Sequence, residues 1–225
     1  TTGWNVFANM SYNSSFTVRG LPTVLNGAGD QPPILFWNDF ANRGAENEWY
    51  FTLNNLGYVL GVDYDIYYTN GPSSGVGSGL GGRATFPQLA GYTTMLYEAG
   101  DLSSFTITNV DYDNDPGDDV GVVDGWLRLG NKKMVMFGDD IVFDMVGMPQ
   151  ANAFISNWMG LSFNDRDLNP LIGNQATPTV RADVGNGVFP DDAEWVAYGG
   201  CLGFNTFDAV TPTTGQRLAH FLSPA

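Results

Sequence analysis

The chain is poor in cysteine, in histidine and in basic residues, and each scarcity removes a class of function. Cys201 is the only cysteine and His220 the only histidine, so no internal disulfide can form and no thiolate cage can hold a metal. Nine Lys and Arg stand against 24 Asp and Glu, a formal charge of -15. Such a chain repels phosphate backbones and anionic lipid, which argues against nucleic acid or an acidic membrane surface as partner. No apolar run approaches the ~18 residues that cross a bilayer. The opening TTGWNVFANMS has neither a basic segment nor an apolar one behind it, so any signal peptide is expected to have been removed or to lie upstream. Starting at Thr1 rather than Met, the chain is expected to be a mature or excised piece of something longer.

What is present is globular. Hydrophobic residues make up 43% and aromatics 14% of 225 residues, enough for one good-sized core, or a domain with an appended lobe. The 29 glycines, with abundant Asn, Thr and Ser and few Lys or Arg, suit a secreted or cell-surface protein.

The best-marked stretch is DDVGVVDGWLRLGNKKMVMFGDD, residues 118–140. Asp118 or Asp119 caps a helix and opposes its dipole. Val120, Val123, Trp126 and Leu127 make one apolar stripe, and Gly130-Asn131 tolerates the left-handed geometry of a helix end. The run at 133–137 is nearly all apolar, the pattern of a strand covered on both faces. Further strands are expected at 34–37, 64–69 and 93–99. A helix is expected from Glu46 through Leu60, with Trp49, Leu53 and Leu56 on one face and Gly61 as its stop, and another over 151–159. The Gly-rich stretch 70–82 reads as a mobile surface loop. Strands separated by crossovers give the βαβ rhythm of a parallel, doubly wound sheet. Past residue 161 short β-prone pieces, at 177–181 and 195–198, are split by Pro, Gly and Asn.

ILFWND, MLYEAGD, DDVGVVDGWL and KMVMFGDD together resemble the class I glutamine amidotransferase-like, flavodoxin-like domains found inside large secreted bacterial proteins. The likeness covers roughly residues 33–160. It implies an α/β fold, a mainly parallel flavodoxin-like three-layer sandwich with a β-rich C-terminal extension. The expected division is an N-terminal arm or edge strand at 1–30, the α/β core at 31–160 and the extension at 161–225. In catalytic relatives the strand of the KMVMFG type leads into G-x-C-x-G, whose tight turn exposes a cysteine nucleophile. Here the matching residues are Gly138-Asp139-Asp140-Ile141-Val142. Asp140 holds the nucleophile position and Val142 replaces the second glycine, so the resemblance implies that the thiol chemistry is lost.

Three constellations could carry chemistry. Asp39, Asp101, Asp139 and Asp140 each follow an expected strand, so a parallel sheet would bring them to one rim as ligand-binding residues, able to hold Ca²⁺ or Mg²⁺. The competing reading makes them helix caps and turn formers. Asp111, Asp113 and Asp115 alternate as a calcium loop begins, but Pro116 and Val122 stand where an EF-hand needs Gly and Glu. Gly199-Gly200-Cys201-Leu202-Gly203 fits G-x-C-x-G, and Cys201 with His220 could form a nucleophile and base, although the match falls after the α/β rhythm has ended. Gly71-Pro72-Ser73-Ser74-Gly75 fits G-x-S-x-G only formally, because Pro72 and its glycines suit a loop. Trp49, Trp126 and Trp158 lie on expected apolar helix faces, so core packing explains them better than sugar stacking. The sequence thus points to a non-catalytic binding or scaffolding domain, with Ca²⁺ as a candidate stabiliser and with the rest of a larger chain or neighbouring subunits as partners. The alternative is a cysteine-dependent hydrolase or amidohydrolase using Cys201 and His220.

Overall fold

Pro32-Pro33 cannot continue a hydrogen-bonded ladder, and the apolar run behind it becomes the first strand, β1 (Ile34–Asn38). In the computed structural model, which describes residues 31–39, 46–69, 79–100, 102, 106–107, 117–175, 178–196 and 207–223, three more strands join it in one sheet. These are β2 (Tyr64–Tyr68), β3 (Thr94–Glu98) and β4 (Lys133–Phe137). All pairings are parallel and in even register, Ile34 opposite Tyr64 and Thr94, and Thr94 opposite Lys133. The order is β2-β1-β3-β4, so the chain leaves β1 on one side and returns on the other. The topological switch point therefore lies between β1 and β3.

Strand alternation divides the core into two layers around this sheet. Leu35, Trp37, Met95 and Tyr97 pack on one face with Val120, Val123 and Trp126 of a helix over Asp119–Leu127. Phe36 and Leu96 pack on the other with Trp49, Tyr50 and Leu53 of the helix α1 (Glu46–Asn55). Trp126 is fully buried, worth roughly 1.5–3 kcal/mol for a large side chain, and its indole N–H donates to the Tyr92 carbonyl at 3.1 Å. The fold is thus α/β with a parallel sheet between helical layers.

Two short helices precede β3: α2 (Leu80–Arg83) and α3 (Phe86–Leu89). The Asp119–Leu127 helix, α4, is followed after β4 by α5 (Ile141–Met145) and α6 (Pro149–Phe154), the latter running into a π-helical turn over Ile155–Met159. Beyond it the chain makes antiparallel sheets, as the β-rich extension requires. Strand β5 (Leu161–Asp165) leads to α7 (Leu168–Leu171), β6 (Thr179–Ala182) and β7 (Glu194–Val196). Strands β8 (Ala209–Pro212) and β9 (Ala219–Phe221) complete the pairs β5-β8 and β7-β6-β9. No helix among the described residues is long and apolar enough to cross a membrane.

The helix at the centre of the sequence reading has the expected ends. Asp118 is its N-cap, accepting from the Gly121 amide at 2.8 Å, and Gly130 and Asn131 have φ of 76° and 53°. Asp118→Ala should lower stability by about 1 kcal/mol, the usual cost of losing such a cap, read as a shift in the urea midpoint at unchanged slope.

Four local expectations need correction. Strand β4 is covered on one face only: Lys133, Val135 and Phe137 are exposed, because it ends the four-stranded order and α1 reaches only the Phe137 ring, against Trp49. Helix α1 stops at Asn55, since Gly57 takes φ 81° and the Tyr58 amide turns back to the Leu53 carbonyl, leaving Leu56 and Leu60 in solvent. Trp158 is not core but 40% exposed. Within the stretch read as a mobile loop, Leu80 is fully buried and α2 packs on α4. The arm expected at 1–30 lies outside the described residues.

Candidate functional site

The carboxyl ends of β1 and β3 bring Asp39 beside Tyr97. Asp39 continues the ladder, its amide donating to the Glu98 carbonyl at 2.9 Å, and its side chain falls on the same face as Trp37 and Tyr97. Those two rings meet edge to face at 4.6 Å. The Tyr97 hydroxyl donates to Asp39 Oδ2 at 2.8 Å, and the Trp37 indole N–H donates to the Thr69 hydroxyl at 3.0 Å. Asp39 Oδ1 is buried with no hydrogen-bond partner among the described residues. Burial pushes the Asp39 carboxyl well above the usual carboxylate range; hydrogen bonds from Thr69 and Tyr97 oppose this, while the charges of Asp119 and Asp144 add to it. The switch point thus holds a desolvated acid.

Glu98, one residue further along β3 than Tyr97, points to the opposite face. There it accepts from the Trp49 indole N–H at 2.7 Å and from the Gly100 amide at 3.1 Å. Asp119, fully buried in the first turn of α4, accepts from the Gly81 amide. Asp144 accepts from both the amide and the hydroxyl of Thr106 at 2.8 Å.

Asp139 and Asp140 close β4. The Asp139 amide donates to the Gly100 carbonyl at 3.0 Å. Asp140 is the N-cap residue of α5, yet its side chain makes no cap hydrogen bond. Instead Asp140 Oδ2 lies 3.2 Å from Nη2 of Arg166, whose guanidinium sits 4.4 Å over the Phe143 ring. Burial raises the Asp140 pKa, and Arg166 partly offsets it. The cap is supplied by Asp208, whose Oδ2 accepts from the Val142 and Phe143 amides at 2.6 and 3.2 Å. Burial pushes Asp208 up to about 6 against the pull of those two amides.

His220 lies on β9, its Nδ1 2.6 Å from Asp183 Oδ1, while Asp183 Oδ2 accepts from Arg217 Nε at 2.6 Å. Arg217, then His220, hold the Asp183 carboxyl below its ordinary value.

Of the expected rim, Asp39, Asp139 and Asp140 do stand at the carboxyl ends of parallel strands, each buried. They do not form a ligand cage: among the described residues no three His, Cys, Asp or Glu side chains are placed to hold a metal. Strand alternation and internal hydrogen bonds explain why. Asp101, Asp111, Asp113, Asp115 and Cys201 lie outside the described residues. Sequence reasoning missed Arg166, Asp183 and Asp208, partners 26, 37 and 66 positions from the groups they hold; no local pattern carries such a pairing. No family model, curated protein or solved structure matches this chain.

Proposed function

We propose that this chain is a non-catalytic binding or scaffolding domain of a secreted or cell-surface protein, acting beside further parts of a larger chain or neighbouring subunits. The observation that supports this is the state of Asp140. At the position the amidotransferase resemblance equates with the nucleophile, a buried carboxylate is paired with Arg166. An activated nucleophile needs exposure and an adjacent base; Asp140 has neither arrangement and serves instead to tie the turn after β4 to the start of the β-rich part. The acid excess and the scarcity of basic residues suit an extracellular setting.

One observation favours the other reading, a cysteine-dependent hydrolase or amidohydrolase. His220 is oriented through Nδ1 by Asp183, as a general base is by its third group. A thiol-reactive probe applied across pH separates the two. The proposal expects Cys201 to react slowly at neutrality and to accelerate only toward the ordinary thiol pKa of about 8.5. Rapid modification near pH 7 that disappears in His220→Gln would overturn it.

A further inference from the structure

Between helices α4 and α6 lies a cleft of about 210 Å³. Val120 and Phe154, both buried, form its apolar floor. Its polar rim is built from Asp124 and Arg128 on one wall and Gln150 and Asn157 on the other. Asp124 is held from two sides: Oδ2 accepts from Arg128 Nε at 2.6 Å and Oδ1 from the Trp158 indole N–H at 2.7 Å. Arg128 also lies 5.9 Å over the half-exposed Trp158 ring. The carboxamides of Gln150 and Asn157, by contrast, make no hydrogen bond among the described residues.

The second wall carries an independent mark. The turn over Ile155–Met159 is π-helical, closed by the Gly160 amide on the Ile155 carbonyl at 2.9 Å, with Gly160 at φ 63°. A π turn has weaker packing and hydrogen bonding than the α turn it replaces, and such turns concentrate where side chains are re-aimed at a site. The residues this one sets are Asn157, on the cleft, and Trp158, on Asp124.

The chemistry narrows the ligand. An anion meets Asp124 and the field of a chain of net charge -15. A cation finds both Asp124 oxygens already engaged and Arg128 beside them. Two free carboxamides, each with a donor and an acceptor, match neighbouring hydroxyl groups, and the apolar floor matches a face of C–H groups. The volume falls below the ~300–1,000 Å³ of sites for drug-sized ligands, which leaves room for one ring. We infer that the α4–α6 cleft binds a neutral sugar ring, Gln150 and Asn157 recognising its hydroxyls and the Asp124–Arg128–Trp158 group fixing the wall against which it sits. This rests on the binding-domain reading and gives that reading a ligand class.

The test is an NMR titration of the whole ¹⁵N-labelled chain with neutral hexoses and, separately, with a hexuronic acid, to about 100 mM. Neutral hexoses should shift the side-chain amides of Gln150 and Asn157 and the Trp158 indole N–H with a millimolar Kd. The hexuronic acid should bind at least about tenfold more weakly, and so should hexose to Gln150→Ala or Asn157→Ala. Both side chains are exposed, so these variants should keep the wild-type melting temperature. No shift, shifts confined to other residues, equal binding of the charged sugar, or wild-type affinity in both variants would overturn the inference. The readout does not involve Cys201, so a reactive thiol would sink the non-catalytic reading without altering this result.

Discussion

Gly81→Ala is expected to destabilise the chain by about 3 kcal/mol or more, the upper range for forcing extra volume into packed structure. A Cβ at Gly81 would stand 2.2 Å from the carbonyl carbon and oxygen of Asp118 and 2.5 Å from the amide nitrogen of Asp119. These are backbone atoms at the start of α4, so no rotamer change relieves the overlap. The alternative, moving α2 away, would break the hydrogen bond from the Gly81 amide to the buried Asp119 carboxylate and expose Leu80. Gly79 repeats the constraint, with its Cβ position 2.6 Å from Asp119 Oδ2. For a chain of this size the loss corresponds to roughly 6–12 °C in Tm. Gly57→Ala is the comparison: φ is 81° there but nothing lies within 4 Å, so the cost is conformational, about 1 kcal/mol. Equal midpoints for the two variants in urea would show that α2 does not bear on α4.

That contact also marks the limit of what the sequence discloses. The four strands are legible because each is a short apolar run closed by Pro, Gly, Asn or Asp, and their parallel order follows from the crossovers between them. Helix α4 is legible at both ends because a cap is a local event, settled within four residues by Asp118 and by Gly130-Asn131. A glycine required for close approach looks the same in sequence as a glycine in a loose loop, which is why residues 79–82 read as part of a mobile loop. In the same way the apolar run of β4 says nothing about whether a further strand or helix covers it, and Leu56 and Leu60 continue the helical spacing of α1 past the point where Gly57 ends it.

The rim of carboxylates divides along the same line. That Asp39, Asp139 and Asp140 follow strands could be read from the chain, and their position at the carboxyl edge of the sheet follows from it. What each one does depends on strand alternation and on distant partners. Asp39 and Glu98 sit next to one another at the switch point yet serve opposite faces, one toward Tyr97 and the other toward Trp49. Asp140, a ligand-binding residue on one reading and a helix cap on the competing one, leaves the cap to Asp208 because Arg166 draws its carboxylate away from the α5 amides.

The pH dependence of stability should carry the signature of Asp208. Its carboxyl titrates at about 6 in the folded chain against 3.8 for the free side chain. Between these values the folded state binds a proton that the unfolded state releases, so the contribution is fully present below about pH 3.8 and is lost as pH rises through about 6. Because the group is only partly buried, solvent screening reduces the effect, and the difference amounts to about 1–2 kcal/mol between pH 8 and pH 4. Asp39, Asp65, Glu98 and Asp140 are also raised by burial and act in the same direction, so the chain should be more stable in mild acid than at pH 8. Asp208→Asn removes the titrating group while its amide oxygen can still accept from Val142 and Phe143. Denaturant midpoints across this range should therefore show a shallower slope for Asp208→Asn, by about 1–2 kcal/mol in total, with the remaining slope left by the other acids. Asp208→Ala removes the acceptor as well and leaves two amides at the start of α5 unpaired, which should cost about 2 kcal/mol at pH 5, where the wild-type group is largely protonated and carries little desolvation penalty. Because Asp208 is the brace between β8 and α5, the Asp208→Ala chain should also show faster amide exchange at Val142 and Phe143 than in α4. Identical pH profiles for wild type and Asp208→Asn would mean that this carboxyl is solvated in the folded chain and that β8 is not fastened to α5 through it.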